Sequence, residues 1–226
     1  MPSTNRRRPL SVGTRPAEVC GWVSSPRSSS SCITPRIEAG ERATLPADAI
    51  SSFRRVLEVR PDDAQAAHLL GAAHFILKQY AEAIVAHRRA VSIDPKNADY
   101  QSHLGSANTY LKKWSDAAFA FGEAAKLRPK DAMAHFNLGL VELERNRLPQ
   151  AERAFQQPLR LDKTLAGAHV NIGVIRNRRS QYAAAITEGL KALKINPESA
   201  AGHYQLGFAY LKSGQIERGR EEFRIL

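Results

Sequence analysis

A 34-residue period governs this chain from Ala64 onward, and no other feature restricts its fold as much. Successive units start at Ala64, Ala98, Ala132, Ala166 and Ala200. The eighth residue of each unit is Gly71, Gly105, Gly139, Gly173 or Gly207, preceded by Leu70, Leu104, Leu138, Ile172 or Leu206. The twentieth is Ala83, Ala117, Ala151, Ala185 or Gly219, and Pro95, Pro129 and Pro197 recur near unit ends. Agreement at so many columns excludes chance and excludes an unordered chain.

The columns have a physical reading. Each unit predicts two helical stretches of about 14 residues, such as 132–145 and 149–161. The turn between them carries Asn146 and Gly214, which tolerate left-handed backbone. Pro149 falls in the first turn of its helix, where no amide donor is missed. Small residues at the Gly and Ala columns let paired helices approach closely, and Trp114, Phe121, Phe155, Tyr182 and Phe223 fill the space between. Pro95, Pro129 and Pro197 end the second helix. One such pair cannot bury its own apolar face, so the units must stack.

These residues resemble the tetratricopeptide repeat family, whose pattern is carried by Leu104, Gly105, Trp114, Ala117, Phe121, Ala124 and Pro129 in the second unit. The resemblance implies an all-α, right-handed superhelical solenoid of helix-turn-helix repeats, with full repeats at 64–97, 98–131, 132–165 and 166–199 and a truncated one at 200–226. Ala49, Phe53, Val56 and Pro61 match the second half of an earlier repeat, giving a half repeat at 45–63. Three departures stand out: His74 and His87 replace usual aromatics, Pro158 takes a column held elsewhere by Ala90, Ala124 and Ala192, and Lys163 replaces the terminal proline. Pro158 is expected to kink its helix or end it early, making the third unit a weak joint. The chain stops at Leu226 with no polar capping helix, and so reads as the front part of something longer that self-associates through Phe208, Phe223, Ile225 and Leu226.

Residues 1–44 form a separate Ser/Arg/Pro-rich segment, expected to be disordered; a targeting role for it stays open. Five of the 12 prolines fall in the first 36 residues, and Cys20 and Cys32 have no metal-ligand partner at close spacing. No run of 18 apolar residues exists, which excludes a membrane-spanning helix. The compartment stays open, with the cytoplasm as default.

No motif for catalysis, metal or cofactor binding is present: G-x-x-x-x-G-K-[ST], H-E-x-x-H and G-x-S-x-G are all missing. His135, His169 and His203 recur at 34 residues, but equivalent residues on neighbouring units lie about 10 Å apart, too far to share a metal. They read as half-buried packing residues. Glu142, Glu144, Glu221 and Glu222 read as solvated faces. The 226 residues carry 33 Lys plus Arg against 22 Asp plus Glu. Many cations fall where first helices end, at Lys78, Lys112, Lys113, Arg145, Arg147, Arg178, Arg179 and Lys212, the end that the helix macrodipole favours. Few aromatics interleave them, which argues against nucleic acid.

The resemblance further implies that the second, fifth, sixth, ninth, twelfth and thirteenth residues of each unit line a concave groove. Candidate peptide-binding residues there are Phe136, Asn137, Leu140, Val170, Asn171, Val174, Asn177, Tyr204, Gln205 and Phe208. Asn137, Asn171 and Gln205 share one column, with His103 before them. An amide offers both donor and acceptor, so such a column can pair with a peptide backbone whatever its side chains. The column is similar to the asparagine ladder of protein O-linked N-acetylglucosamine transferases. The basic clamp by which other family members hold acidic chaperone tails is unsupported, since His68, Asp99, Ser102 and Met133 stand in its place. The expected function is a non-catalytic scaffold for an extended peptide or partner helix. The competing expectation is the substrate-binding region of a larger enzyme of glycosyltransferase or sulfotransferase type.

Overall fold

A computed structural model describes residues 41–226, with side chains from Ala47 onward. The expectations placed on residues 1–40, including those on Cys20 and Cys32, lie outside the described residues. The rest is helix: α1 (Glu41–Val59), α2 (Ala64–Ile76), α3 (Tyr80–Ile93), α4 (Ala98–Tyr110), α5 (Trp114–Leu127), α6 (Ala132–Glu144), α7 (Leu148–Leu161), α8 (Ala166–Arg178), α9 (Tyr182–Ile195), α10 (Ala200–Lys212) and α11 (Ile216–Arg224). The first helix, α1, begins four residues ahead of the boundary at 45.

Every even-numbered helix starts on the first residue of a repeat, and a capping side chain precedes all of them but α8. Asp63, Asn97, Asp131 and Ser199 each accept a hydrogen bond from a backbone N–H in the first turn. The turn inside each repeat is left-handed at one fixed column: Lys78, Lys112, Asn146, Ser180 and Gly214 have φ of 59, 55, 55, 59 and 85°. Asn146 and Gly214 suit that backbone; Lys78, Lys112 and Ser180 adopt it under the hold of the paired helices.

Within a repeat the helices close on the glycine column. A Cβ on Gly105 would lie 2.9 Å from the Phe121 ring, and one on Gly139 would lie 2.7 Å from the Phe155 ring. Each helix pair then packs on the next. First helices also approach one another (α2 with α4, α6 with α8, α8 with α10), while no pair of second helices is comparably close. The stack therefore curves into a right-handed solenoid with first helices on its inner face.

One joint differs. The helix α7 does not end at Pro158 but continues to Leu161, and Asp162 N–H still donates to the Pro158 carbonyl at 2.7 Å. Pro158 lies in the last helical turn, so only its own missing N–H to Ala154 is forgone. The pairing of α7 with α8 is nonetheless the thinnest of the successive pairs. The N-cap of α8 is Leu165, which offers no side-chain acceptor. A polar latch spans this joint: buried Glu152 accepts from Arg176 and, at 2.7 Å, from Arg179, and Arg178 donates to the Leu143 carbonyl at 3.0 Å.

Candidate functional site

The glycine contacts turn one side of each first helix toward its own second helix, which leaves the sixth, ninth and thirteenth columns facing inward. An open stripe results. Asn137 and Leu140 on α6, Asn171 and Val174 on α8, and Phe208 on α10 are half-buried, while Tyr204 is exposed. Asn137 has no hydrogen-bonding partner among the described residues. Asn171 donates from Nδ2 to the Gly167 carbonyl at 2.8 Å, which leaves its Oδ1 and a second N–H open. Tyr204 stands edge-on to Phe223 at 5.6 Å, and the Lys212 ammonium lies 5.7 Å from the centre of the Phe208 ring.

The other four candidates sit in joints. Phe136 is half-buried, its ring edge-on to Phe155 at 5.4 Å and 3.4 Å from where a Gly167 Cβ would be. Val170 is buried. Asn177 and Gln205 are also buried, between α8 and α10, where Asn177 Nδ2 donates to the Gln205 carbonyl at 3.3 Å. Asn177 Oδ1 and Gln205 Nε2 find no partner. The cause is Gly189, which stands in the column of Phe121, Phe155 and Phe223. With no ring there, Leu206 comes within 3.1 Å of a Gly189 Cβ, and Gln205 Cγ within 3.3 Å of a Gly173 Cβ. The amide column is thus open at Asn137 and Asn171 and closed at Gln205. Leu69, Ile76 and Met133 extend the apolar exposure of the first helices.

The repeating histidines bind acceptors, His169 and His203 in their own unit and His135 and His203 on the preceding one. His169 Nδ1 pairs with Glu188 at 2.7 Å and His203 Nδ1 with Glu222 at 2.6 Å, both inside one repeat. His203 Nε2 also faces the Pro197 carbonyl at 2.8 Å. Two acceptors require two ring protons, and the Glu222 hydrogen bond holds the His203 pKa above its ordinary value. Glu222 is therefore no solvated carboxylate. Nor is buried Glu142, which binds Arg145 at 3.0 Å with Arg147 4.0 Å away. Glu142 and Glu152 thus engage part of the basic edge in the third and fourth repeats, while Arg178 meets only a backbone carbonyl.

A second cluster was not visible as spacing. His68, His87 and His103 come together from α2, α3 and α4, with His68 ring centres 5.1 Å from His87 and 4.8 Å from both Tyr100 and His103. Burial pushes the pKa of His87 down to about 3 and that of His68 to about 4, and the neighbouring imidazoles push the same way. Beside them, the Arg128 guanidinium holds Asp99 below the usual carboxylate range through hydrogen bonds of 2.6 and 2.7 Å. Among the described residues no group of three or more such side chains is placed to hold a metal ion, and no helix is long and apolar enough to cross a membrane.

Tetratricopeptide repeat patterns match residues 41–98, 104–166 and 175–214. The chain belongs to the tetratricopeptide repeat family. Solved structures of similar fold include MamA, 21% identical over 69% of this chain and 91% of its own, with a TM-score of 0.65. MamA 41-end from Desulfovibrio magneticus RS-1 is 20% identical over 71% of this chain and 91% of its own, with a TM-score of 0.67. YrrB, described as a tetratricopeptide repeat protein with an unusual peptide-binding site, is 16% identical over 78% of this chain and 91% of its own, with a TM-score of 0.65. No curated protein matches the chain. At such identities the likeness is one of fold, and the fold is one that generally mediates protein–protein interaction.

Proposed function

We propose that the chain is a non-catalytic scaffold that holds an extended peptide along the stripe from Asn137 to Phe208. The observation that carries this reading is the pair of open amides, Asn137 and Asn171, set among Leu140, Val174 and Tyr204 on the inner face. A packing role alone would favour Leu or Ala in that column, as Leu69 shows in the first repeat. A bound extended peptide rises about 3.3 Å per residue, so amides about 10 Å apart would meet it at every third residue. Selectivity would come from Tyr204 and Phe208, whose rings offer apolar area to a bound side chain.

The test is affinity for peptides selected by display on the wild-type chain. Each lost amide leaves a backbone partner unpaired at about 1–3 kcal/mol, so Asn137→Ala with Asn171→Ala should weaken binding by more than tenfold. Helicity and melting should hold, since neither side chain links two helices. Undiminished binding would move the contact surface elsewhere, and a melted fold would make the amides structural. A second copy of the chain is a further proposed partner, because Ile216, Ile225 and Leu226 are 43, 58 and 56% exposed around α11. A clean monomer by light scattering at high concentration would refute that part alone.

A further inference from the structure

Of the three imidazoles at the first joint, His87 is buried and His68 and His103 are half-buried, and the stripe from Asn137 to Phe208 uses none of them. His87 stands where the next two repeats place Phe121 and Phe155: a Cβ on Gly71 would lie 2.7 Å from its ring, as close as Gly139 comes to Phe155. It is 1% exposed, and neither ring nitrogen has a hydrogen-bonding partner. His68 Nδ1 is likewise buried and unpartnered. His103 donates from Nδ1 to the Asp99 carbonyl at 2.8 Å and lies 5.7 Å from His87. The joint thus uses imidazole as a neutral aromatic filler, which phenylalanine would be at any pH.

We propose that the joint between the first and second repeats is an acid-sensitive latch: protonation of His68 and His87, which pack against His103, parts α2 and α3 from α4 while the later repeats stay closed.

Charge has nowhere to go in the closed joint. From α2 and α3, the groups facing the cluster are the imidazoles themselves. From α4 they are His103, Tyr100 and Asp99, and Asp99 is already engaged by Arg128 at the end of α5. The carboxylates Asp63 and Asp94 bear on Tyr100, and Asp63 is held by the Ala66 N–H. A proton on His87 would rest unsolvated on a ring with no acceptor, and a second on His68 would lie about 5 Å from it. The pKa values in the closed state, about 3 for His87 and about 4 for His68, express this cost. Opened, both return to about 6.5. The sign follows: the neutral rings stabilise the joint fully above pH 6.5, and that stability is lost as pH falls toward the closed-state values. Each pH unit below 6.5 favours opening about tenfold per histidine, so about a thousandfold for two at pH 5.

At the other end the sign reverses. The pKa of His203 is raised by Glu222, so the contact between α10 and α11 is fully present below 6.5 and lost as pH rises through the raised value. Acid therefore loosens one end of the array and tightens the other. The latch goes beyond peptide binding and stands without it.

Hydrogen exchange of the full chain, corrected for intrinsic rates and compared at pH 7.5 and pH 5, reads this directly. Peptides from residues 64–110 should lose protection by a hundredfold or more at pH 5, while those from 166–212 should keep theirs. His87→Phe should reduce the difference about thirtyfold by restoring the ring of the later repeats, and adding His68→Phe should abolish it. His68→Phe, matching Phe136 in its column, gives an independent second route if His87→Phe packs poorly. Equal loss across the whole array would overturn the proposal, as would variants that lose protection at 64–110 as the wild type does.

Discussion

Glycine to alanine acts in opposite directions at Gly122, outside the repeating glycine column, and at Gly139, within it, and the structure sets both signs. Gly122 lies inside α5 with nothing within 4 Å of where a Cβ would stand. Alanine there gains helix propensity of about 0.5–1 kcal/mol and meets no neighbour. Gly139 gains the same propensity, but its Cβ would lie 2.7, 2.8 and 2.9 Å from three atoms of the Phe155 ring. Ordinary carbon contacts need about 3.5–4.0 Å, so the ring must retreat by about 1 Å. Phe155 is 0% exposed and sits in a cluster with Leu143, Ala151, Ile172 and Ile175, so it has no free side to move toward. Overpacking of this kind costs about 1–3 kcal/mol, which exceeds the propensity gain. For a chain of this size about 1 kcal/mol moves the melting temperature by about 2–4 °C. Circular dichroism melts should therefore place Gly122→Ala about 2–3 °C above wild type and Gly139→Ala several degrees below it. Adding Phe155→Leu to Gly139→Ala should recover more than the separate effects sum to, since the two residues share one contact. A Gly139→Ala chain melting at or above wild type would refute the close approach on which the inner face depends.

Other perturbations probe the remaining joints. Pro158→Ala should raise the melting temperature, because it restores a donor to the Ala154 carbonyl in a column where alanine is 0% exposed at Ala90, Ala124 and Ala192; a fall would show that the proline ring is needed to fill the joint. Glu152→Gln should cost about 1–3 kcal/mol and expose α7 and α8 to hydrogen exchange, because two arginines lose their shared carboxylate; unchanged exchange would mean that the apolar cluster alone holds the joint. Glu222→Gln should lower the melting temperature more at pH 5.5 than at pH 8.5, since the imidazolium that Glu222 binds is present only at low pH; a pH-independent loss would show His203 neutral throughout.

The fold was legible because its determinants are local and recur. Ala98, Gly105, Ala117, Phe121 and Pro129 each act on neighbours within one repeat, so a period in the sequence is a period in space. The left-handed turns were legible only where a residue prefers them, at Asn146 and Gly214; Lys78, Lys112 and Ser180 carry the same backbone with no compositional sign. The stripe was half legible. Asn171 and Gln205 occupy one column, yet one faces the groove and the other is buried, because closure of α10 on α8 is decided by Gly189 on a third helix. A column assigns a side chain to a face of its helix, but how open that face is depends on the helix next door.

The same dependence explains why the histidine cluster escaped a search along the chain. His68, His87 and His103 are 19 and 16 residues apart, no spacing that marks a ligand set or a helix face. The sign was instead vertical: laid over later repeats, His87 falls on Phe121 and Phe155, and His68 on Phe136. A repeat protein offers its own internal reference, in which a polar residue in an aromatic column marks a place where the chain departs from simple packing. Pro158, Lys163 and Leu165 mark a second such place by the same comparison, each breaking a column that the other repeats mostly keep. The two anomalies fall at different joints and are of different chemical kinds, one titratable and one ionic across a thin contact. The two joints therefore depart from an otherwise regular array for separate reasons: one sets titratable rings in an aromatic column, and the other holds a thin apolar contact with an ionic latch.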